Sequence, residues 1–109
     1  MSGLTVAEVL ERAADLIEPE GKWVKGDFAR NINGDSLENG YDDGAVCFCA
    51  LGAIEHIVGE GECTTPYKWV VADVVGRSTT AFNDALGRTQ AEVVEALRKA
   101  ATLAREQSK

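Results

Sequence analysis

The chain has 109 residues, a formal net charge of −7 and three cysteines. This length fits one domain with a single core, and the negative charge, with no basic cluster to offset it, argues against direct nucleic-acid binding. An odd number of cysteines, no secretory leader pattern and no apolar run near about 20 residues predict a cytoplasmic protein with reduced thiols and no membrane contact.

The first predicted element is a helix over 5–18. Thr5 and Glu8 have the spacing of a capping box, in which each side chain accepts a hydrogen bond from the other residue's backbone amide. Apolar residues then recur every three or four positions until Pro19 ends the run. The hydrophobic residues of the chain are mostly aliphatic, which also favours helices.

The segment 22–43 has a different pattern and is predicted to be a hairpin or loop. Asn33-Gly34 suits a type I′ turn, so 27–32 and 35–37 are candidates for a short hairpin. The acidic residues in 31–43 do not fall at the alternate positions of a calcium loop, and we interpret them as a solvated turn.

A central helix is predicted over 44–58, capped by Asp42 or Asp43 and ended by Gly59. Both of its sides are apolar, so it is expected to be the most buried helix, with Gly52 allowing a neighbouring element to approach closely. Further helices are predicted over 65–75, 78–85 and 89–106, the last one beginning with a second capping box. The fold class is therefore mainly α, a single domain of four to five helices with a possible short β-hairpin between helices 1 and 2.

Zinc is one hypothesis for the cysteine-rich stretch, because Cys47, Cys49, His56 and Cys63 are the ligand types of a structural Cys3His site. On a helix, however, Cys47 and Cys49 would lie about 200° apart around the axis. A zinc site requires instead that both cysteines precede the helix in extended form. The spacing is not that of a zinc finger or ribbon, and we expect no cofactor.

A nucleophilic thiol is the second chemical hypothesis. Cys47 or Cys49 in the first turn of a helix would experience the positive end of its dipole, which lowers a thiol pKa. The only histidine, His56, lies too far along the same helix to act as the base for either thiol. No catalytic residue is therefore assigned, and the reactivity of Cys49 stays open.

The densest group of polar residues lies between 78 and 92. It needs no special function, since Arg88 can pair with Asp84 and Asn83 can satisfy freed backbone groups. A functional interpretation is an anion or small-ligand site in which Arg88 and the amides of the last helix bind a carboxylate or phosphate. The large aromatic residues either anchor the core or, where exposed, mark a surface for a partner.

Three segments, 9–18, 45–54 and 81–97, contain patterns that occur together elsewhere. The patterns are Cys-Ala-x-Gly-Ala at 49–53, aromatic-Asn-Asp at 82–84 and Gly-Arg-Thr at 87–89. In these three patterns the chain resembles a family of small uncharacterised proteins from actinobacteria and their phages. It differs from that family at Phe82, where tryptophan is more usual, and at Leu86, where proline is common. The family has no assigned function to transfer, but the resemblance directs attention to Cys49, Asn83, Asp84 and Arg88.

These observations favour a non-enzymatic, cytoplasmic accessory protein of bacterial or phage type that binds a protein partner or itself. The chain has no assembled catalytic group, no nucleotide loop and no basic face. The alternative is a small-ligand-binding or hydrolytic protein with a polar pocket at Cys49, Asn83, Asp84 and Arg88. A structural zinc protein is the third possibility.

Overall fold

Five helices and three short strands make up the computed structural model, which describes residues 3–107. The helices are α1 Val6–Ile17, α2 Ala50–Val58, α3 Thr65–Val75, α4 Thr79–Asp84 and α5 Gln90–Glu106. The strands are β1 Ala29–Arg30, β2 Ser36–Leu37 and β3 Cys47–Phe48. The prediction of a mainly α domain with a small β excursion between the first two helices is confirmed.

The core lies between the helices, with α1 and α5 in extensive contact. Its largest fully buried aliphatic side chains include Leu10 and Ile17 of α1, Ile54 of α2 and Leu97 of α5. Burial of one such side chain is worth about 1.5–3 kcal/mol, so this interface is a main source of stability.

Both predicted capping boxes are present. The Thr5 hydroxyl accepts from the Glu8 amide at 3.1 Å, and the Glu8 carboxylate accepts from the Thr5 amide at 2.9 Å. Thr89 and Glu92 form the same pair of bonds at the start of α5, at 3.3 Å and 2.9 Å. The hydrogen bond from the backbone of Thr5 lowers the pKa of the Glu8 carboxyl group. These local bonds explain why the starts of α1 and α5 could be predicted.

The hairpin predicted around Asn33-Gly34 is also present. β1 pairs antiparallel with β2, with Ala29 opposite Leu37. β3 pairs antiparallel with the other edge of β1, with Ala29 opposite Phe48, so the sheet order is β2-β1-β3. The hairpin turn is held by the Asn31 side chain, whose Oδ1 accepts from the amides of Asn33 and Asp35 at 3.0 Å and 2.9 Å.

The prediction that the central helix begins at 44 is wrong. Residues Cys47–Phe48 form β3, and α2 begins only at Ala50, with Cys49 rather than Asp42 or Asp43 as its N-cap. The cause is nonlocal. The free edge of β1 offers hydrogen-bond partners to the backbone of these residues, and a helical turn would leave that edge unpaired. Asp42 instead accepts from the Gly44 amide at 2.8 Å within the preceding turn.

The segment 18–49, which contains the three strands and is here called the β layer, is in close contact with α2 at Gly40 and Gly52. A Cβ atom on Gly52 would lie 1.8 Å from the Phe28 carbonyl oxygen, and one on Gly40 would lie 1.8 Å from the Gly52 carbonyl oxygen. The backbone of α2 therefore touches two different parts of the excursion, as the expected packing role of Gly52 requires. None of the helices within residues 3–107 combines the length and apolar character needed to cross a membrane.

Candidate functional site

Asn83 lies at the centre of the polar group picked out in the sequence, and its side chain is fully buried. Its Oδ1 accepts from Trp23 Nε1 at 2.7 Å and from the Ala50 amide at 3.0 Å. Its Nδ2 donates to the Val24 carbonyl at 3.1 Å and to Asp84 Oδ1 at 2.9 Å. The amide group thus makes all four hydrogen bonds that it can form, and it joins α4 to the start of α2 and to the 23–24 segment.

Asp84 extends this polar group toward the solvent. Its Oδ1 also accepts from the Gly26 amide at 3.0 Å, so one carboxylate oxygen holds both Asn83 and the backbone of the segment before β1. Asp84 itself is exposed, and it lines a cleft between α4 and the β layer. Of the two adjacent residues, Asn83 is therefore part of the framework and Asp84 faces outward.

Cys49 lies at the base of the same cleft. It is only 3% exposed, and its sulfur accepts from the Gly52 amide at 3.3 Å as the N-cap of α2. Burial raises the pKa of the Cys49 thiol to about 11, and the hydrogen bonds from the Gly52 and Leu51 amides oppose this only partly. The lowered pKa that helix-dipole reasoning suggested for this cysteine is wrong, because desolvation outweighs the amides. At neutral pH the group is a protonated thiol.

Arg88 does not join these three residues. Its guanidinium lies 3.8 Å from the centroid of the Phe82 ring, its Nε donates to the Phe82 carbonyl at 2.8 Å, and its Nη1 pairs with Glu92 at 3.5 Å. The expected pair between Arg88 and Asp84 is absent from the ion pairs of residues 3–107. The predicted four-residue pocket therefore contains Cys49 and Asp84 at the cleft, Asn83 behind it, and no arginine.

The residues of the zinc hypothesis are also dispersed. His56 Nδ1 lies 3.0 Å from the Gly40 carbonyl, and its ring packs against Phe48 with centroids 4.8 Å apart. Cys63 is exposed before α3. Although Cys47 and Cys49 precede the helix, as the zinc hypothesis required, residues 3–107 bring no three His, Cys, Asp or Glu side chains into a metal-binding group.

The cleft beside Cys49 and Asp84, here called the acidic cleft, has a volume of about 550 Å³. Three acidic residues line it, Asp27, Glu38 and Asp84, together with Phe28. Thr80 of α4 also lines it. Of these, sequence reasoning identified only Asp84, because Asp27, Phe28 and Glu38 are brought there by the pairing of β1 with β2.

Trp69 is the second feature that stands out. It is 66% exposed on α3, while its neighbours Val70 and Val71 are buried. A groove of about 640 Å³ adjoins it on the side of Val6 and Pro66. A second groove, of about 330 Å³, adjoins it on the side of α4. Trp69 is one of the large aromatic residues that the sequence predicted to be either core anchors or partner contacts, and its exposure excludes it from the core.

The chain belongs to the family described as "Family of unknown function (DUF6197)", whose model matches residues 1–103. No curated protein and no solved structure matches the chain. The prediction of an uncharacterised domain family is confirmed at that level.

Proposed function

We propose that this member of a family of unknown function is a non-enzymatic accessory protein that binds a different protein through Trp69. The observation that carries the proposal is the 66% exposure of this indole on a well-packed helix. Tryptophan is one of the three residue types enriched among the contacts that dominate protein interfaces. We also infer from the three cysteines without a disulfide that the protein acts in the cytoplasm. From the family resemblance of its motifs we infer that it is of bacterial or phage type.

The position of the indole makes it suited to the role of an anchor. A tryptophan side chain buries about 150–250 Å² when covered, so two thirds of it corresponds to roughly 100–160 Å² of surface left in water. At about 25 cal/mol per Å², a partner that covered it would gain about 2.5–4 kcal/mol. The two grooves beside Trp69 would accept neighbouring side chains of that partner.

The polar residues of the family motifs support a binding role over an enzymatic one. The Asn83 amide is fully engaged within the fold, and Arg88 lies against Phe82 rather than in the cleft. The Cys49 thiol has a pKa of about 11 and is therefore a weak nucleophile at neutral pH. A hydrolytic reaction through a covalent intermediate would need an activated nucleophile, and these residues do not supply one.

The partner is expected to be a basic protein rather than a second copy of this chain. Each copy carries a formal charge of −7, so two copies repel one another at low ionic strength. A positively charged rim around an apolar recess for the indole would be attracted instead.

Trp69→Ala tests the proposal, with Ile32→Ala as the matched control because Ile32 is 83% exposed at the hairpin tip. Wild type and both variants are immobilised on resin and incubated with extract from the producing cell. A protein that wild type retains is then purified for titration calorimetry. We expect a basic partner whose Kd rises roughly 100-fold or more with Trp69→Ala and changes less than about threefold with Ile32→Ala. Since Trp69 is exposed, the urea midpoint of Trp69→Ala should match that of wild type.

Two results would overturn the proposal. One is a partner that binds Trp69→Ala as tightly as it binds wild type. The other is a dimer, seen by sedimentation equilibrium of wild type, that Trp69→Ala abolishes, because Trp69 would then contact a second copy.

A further inference from the structure

We propose that the acidic cleft binds an arginine side chain of the same protein partner that covers Trp69. The identity of the partner rests on the proposed function, whereas the chemistry of the bound group rests on the lining of the cleft.

The cleft carries uncompensated negative charge. The Asp27 carboxylate is occupied, because Arg30 Nε donates to it at 2.6 Å and the Ser36 hydroxyl donates at 2.7 Å. Within residues 3–107, neither Glu38 nor Asp84 forms an ion pair. From the described part of the chain, Asp84 receives two N–H groups, both at Oδ1. Two carboxylates in one concave cleft therefore lack a cation, and their combined potential favours a positively charged group.

The Phe28 ring selects a planar cation. It lines the same cleft and is 38% exposed, so a bound group can cover it. A guanidinium stacks on an aromatic ring while it donates to carboxylates in its own plane, and an ammonium group lacks this geometry. The chain already contains one such arrangement, in which the Arg88 guanidinium covers Phe82 and pairs with Glu92.

The acidic cleft adjoins the Trp69 surface through one shared residue. Thr80 lines both the cleft and the groove between α3 and α4 that Trp69 borders. A partner that covers Trp69 and follows this groove reaches the cleft at Thr80. The arginine is therefore assigned to the same partner, and it accounts for the basic character expected of that protein.

The test is an NMR titration of the full chain with N-acetyl-L-arginine amide. N-acetyl-L-citrulline amide is the matched control probe, because it has nearly the same shape without the charge. We expect arginine amide to produce saturable shifts at the amides of Gly26, Phe28 and Thr80. Citrulline amide should bind at least about tenfold more weakly, since it cannot pair with the carboxylates.

Two variants locate the binding. Glu38→Gln should raise the Kd of arginine amide about two- to fivefold, the range for an exposed charge pair. Glu60→Gln, which removes an exposed carboxylate outside the cleft, should leave it unchanged. Trp69→Ala should also leave it unchanged, because the indole does not line the cleft.

Equal affinity for the two probes, shifts spread over other exposed carboxylates, or no effect of Glu38→Gln would overturn the assignment of arginine. If the probe fails to bind while a Trp69-dependent partner is found, this inference alone is wrong. If the probe binds but no partner depends on Trp69, the proposed function is wrong, and the assignment of the arginine to that partner is wrong with it.

Discussion

The substitution Asn83→Asp separates a structural role for the family motif from a catalytic one. It keeps the acceptor that receives Trp23 Nε1 and the Ala50 amide. It replaces the donor that reaches the Val24 carbonyl and the Asp84 carboxylate with a second oxygen. The variant therefore places an acidic group against two acceptors at a fully buried position.

The expected loss of stability follows from those two contacts. A neutral hydrogen bond contributes about 1 kcal/mol and one to a charged group about 1.5–3 kcal/mol, and an unpaired buried acceptor adds a further cost. We expect the free energy of unfolding to fall by roughly 3–5 kcal/mol, which is a large part of the stability of a small domain.

The measurement is urea unfolding at pH 7, followed by far-UV circular dichroism and by tryptophan fluorescence. Asn33→Asp is the control, since it makes the same chemical change at an exposed position of the hairpin turn and should alter stability by less than about 0.5 kcal/mol. A loss below about 1 kcal/mol for Asn83→Asp would show that the two hydrogen bonds donated by the Asn83 amide do not stabilise the fold, and the structural interpretation would fail.

Three further predictions concern α2 and the cysteines. Gly52→Ala should lower the free energy of unfolding despite the better helix propensity of alanine, because its Cβ would meet the Phe28 carbonyl. Ala91→Gly is the control that measures the difference in helix propensity, about 1 kcal/mol. A Gly52→Ala variant more stable than wild type would refute the contact. Under native conditions Cys63 should react with a thiol reagent well before Cys49, because Cys63 is exposed and hydrogen bonds from Thr65 lower its pKa; equal rates would contradict this order. The pKa of Cys49 is about 11 in the folded chain and ordinarily 9.0, so the protonated thiol stabilises the fold below pH 9. That contribution, about 2–3 kcal/mol, is lost as the pH rises toward 11. A Cys49→Ala variant that loses the same stability at alkaline pH would show that the thiol is not the cause.

The sequence alone was sufficient for most of the helical framework. The starts of α1 and α5 depend on bonds between residues three apart, Thr5 with Glu8 and Thr89 with Glu92. The hairpin turn depends on Asn31 and its neighbours up to Asp35. Such signals are local, so they can be recognised before the fold is known.

Contacts between distant residues decided the rest. Cys47–Phe48 became a strand because it meets β1, a pairing that depends on tertiary structure and that the local apolar pattern concealed. The partners of Asn83 lie 33 to 60 residues away, apart from Asp84, and nothing in the polar segment 78–92 indicates them. Arg88 lies outside the predicted pocket because its guanidinium covers the Phe82 ring and pairs with Glu92, contacts that are set by how α4 meets the start of α5. The sequence thus determined where most of the helices form. Tertiary packing determined which side chains are buried, which line the acidic cleft, and that Trp69 lies in solvent. The reason is that burial depends on residues that are far apart in the chain.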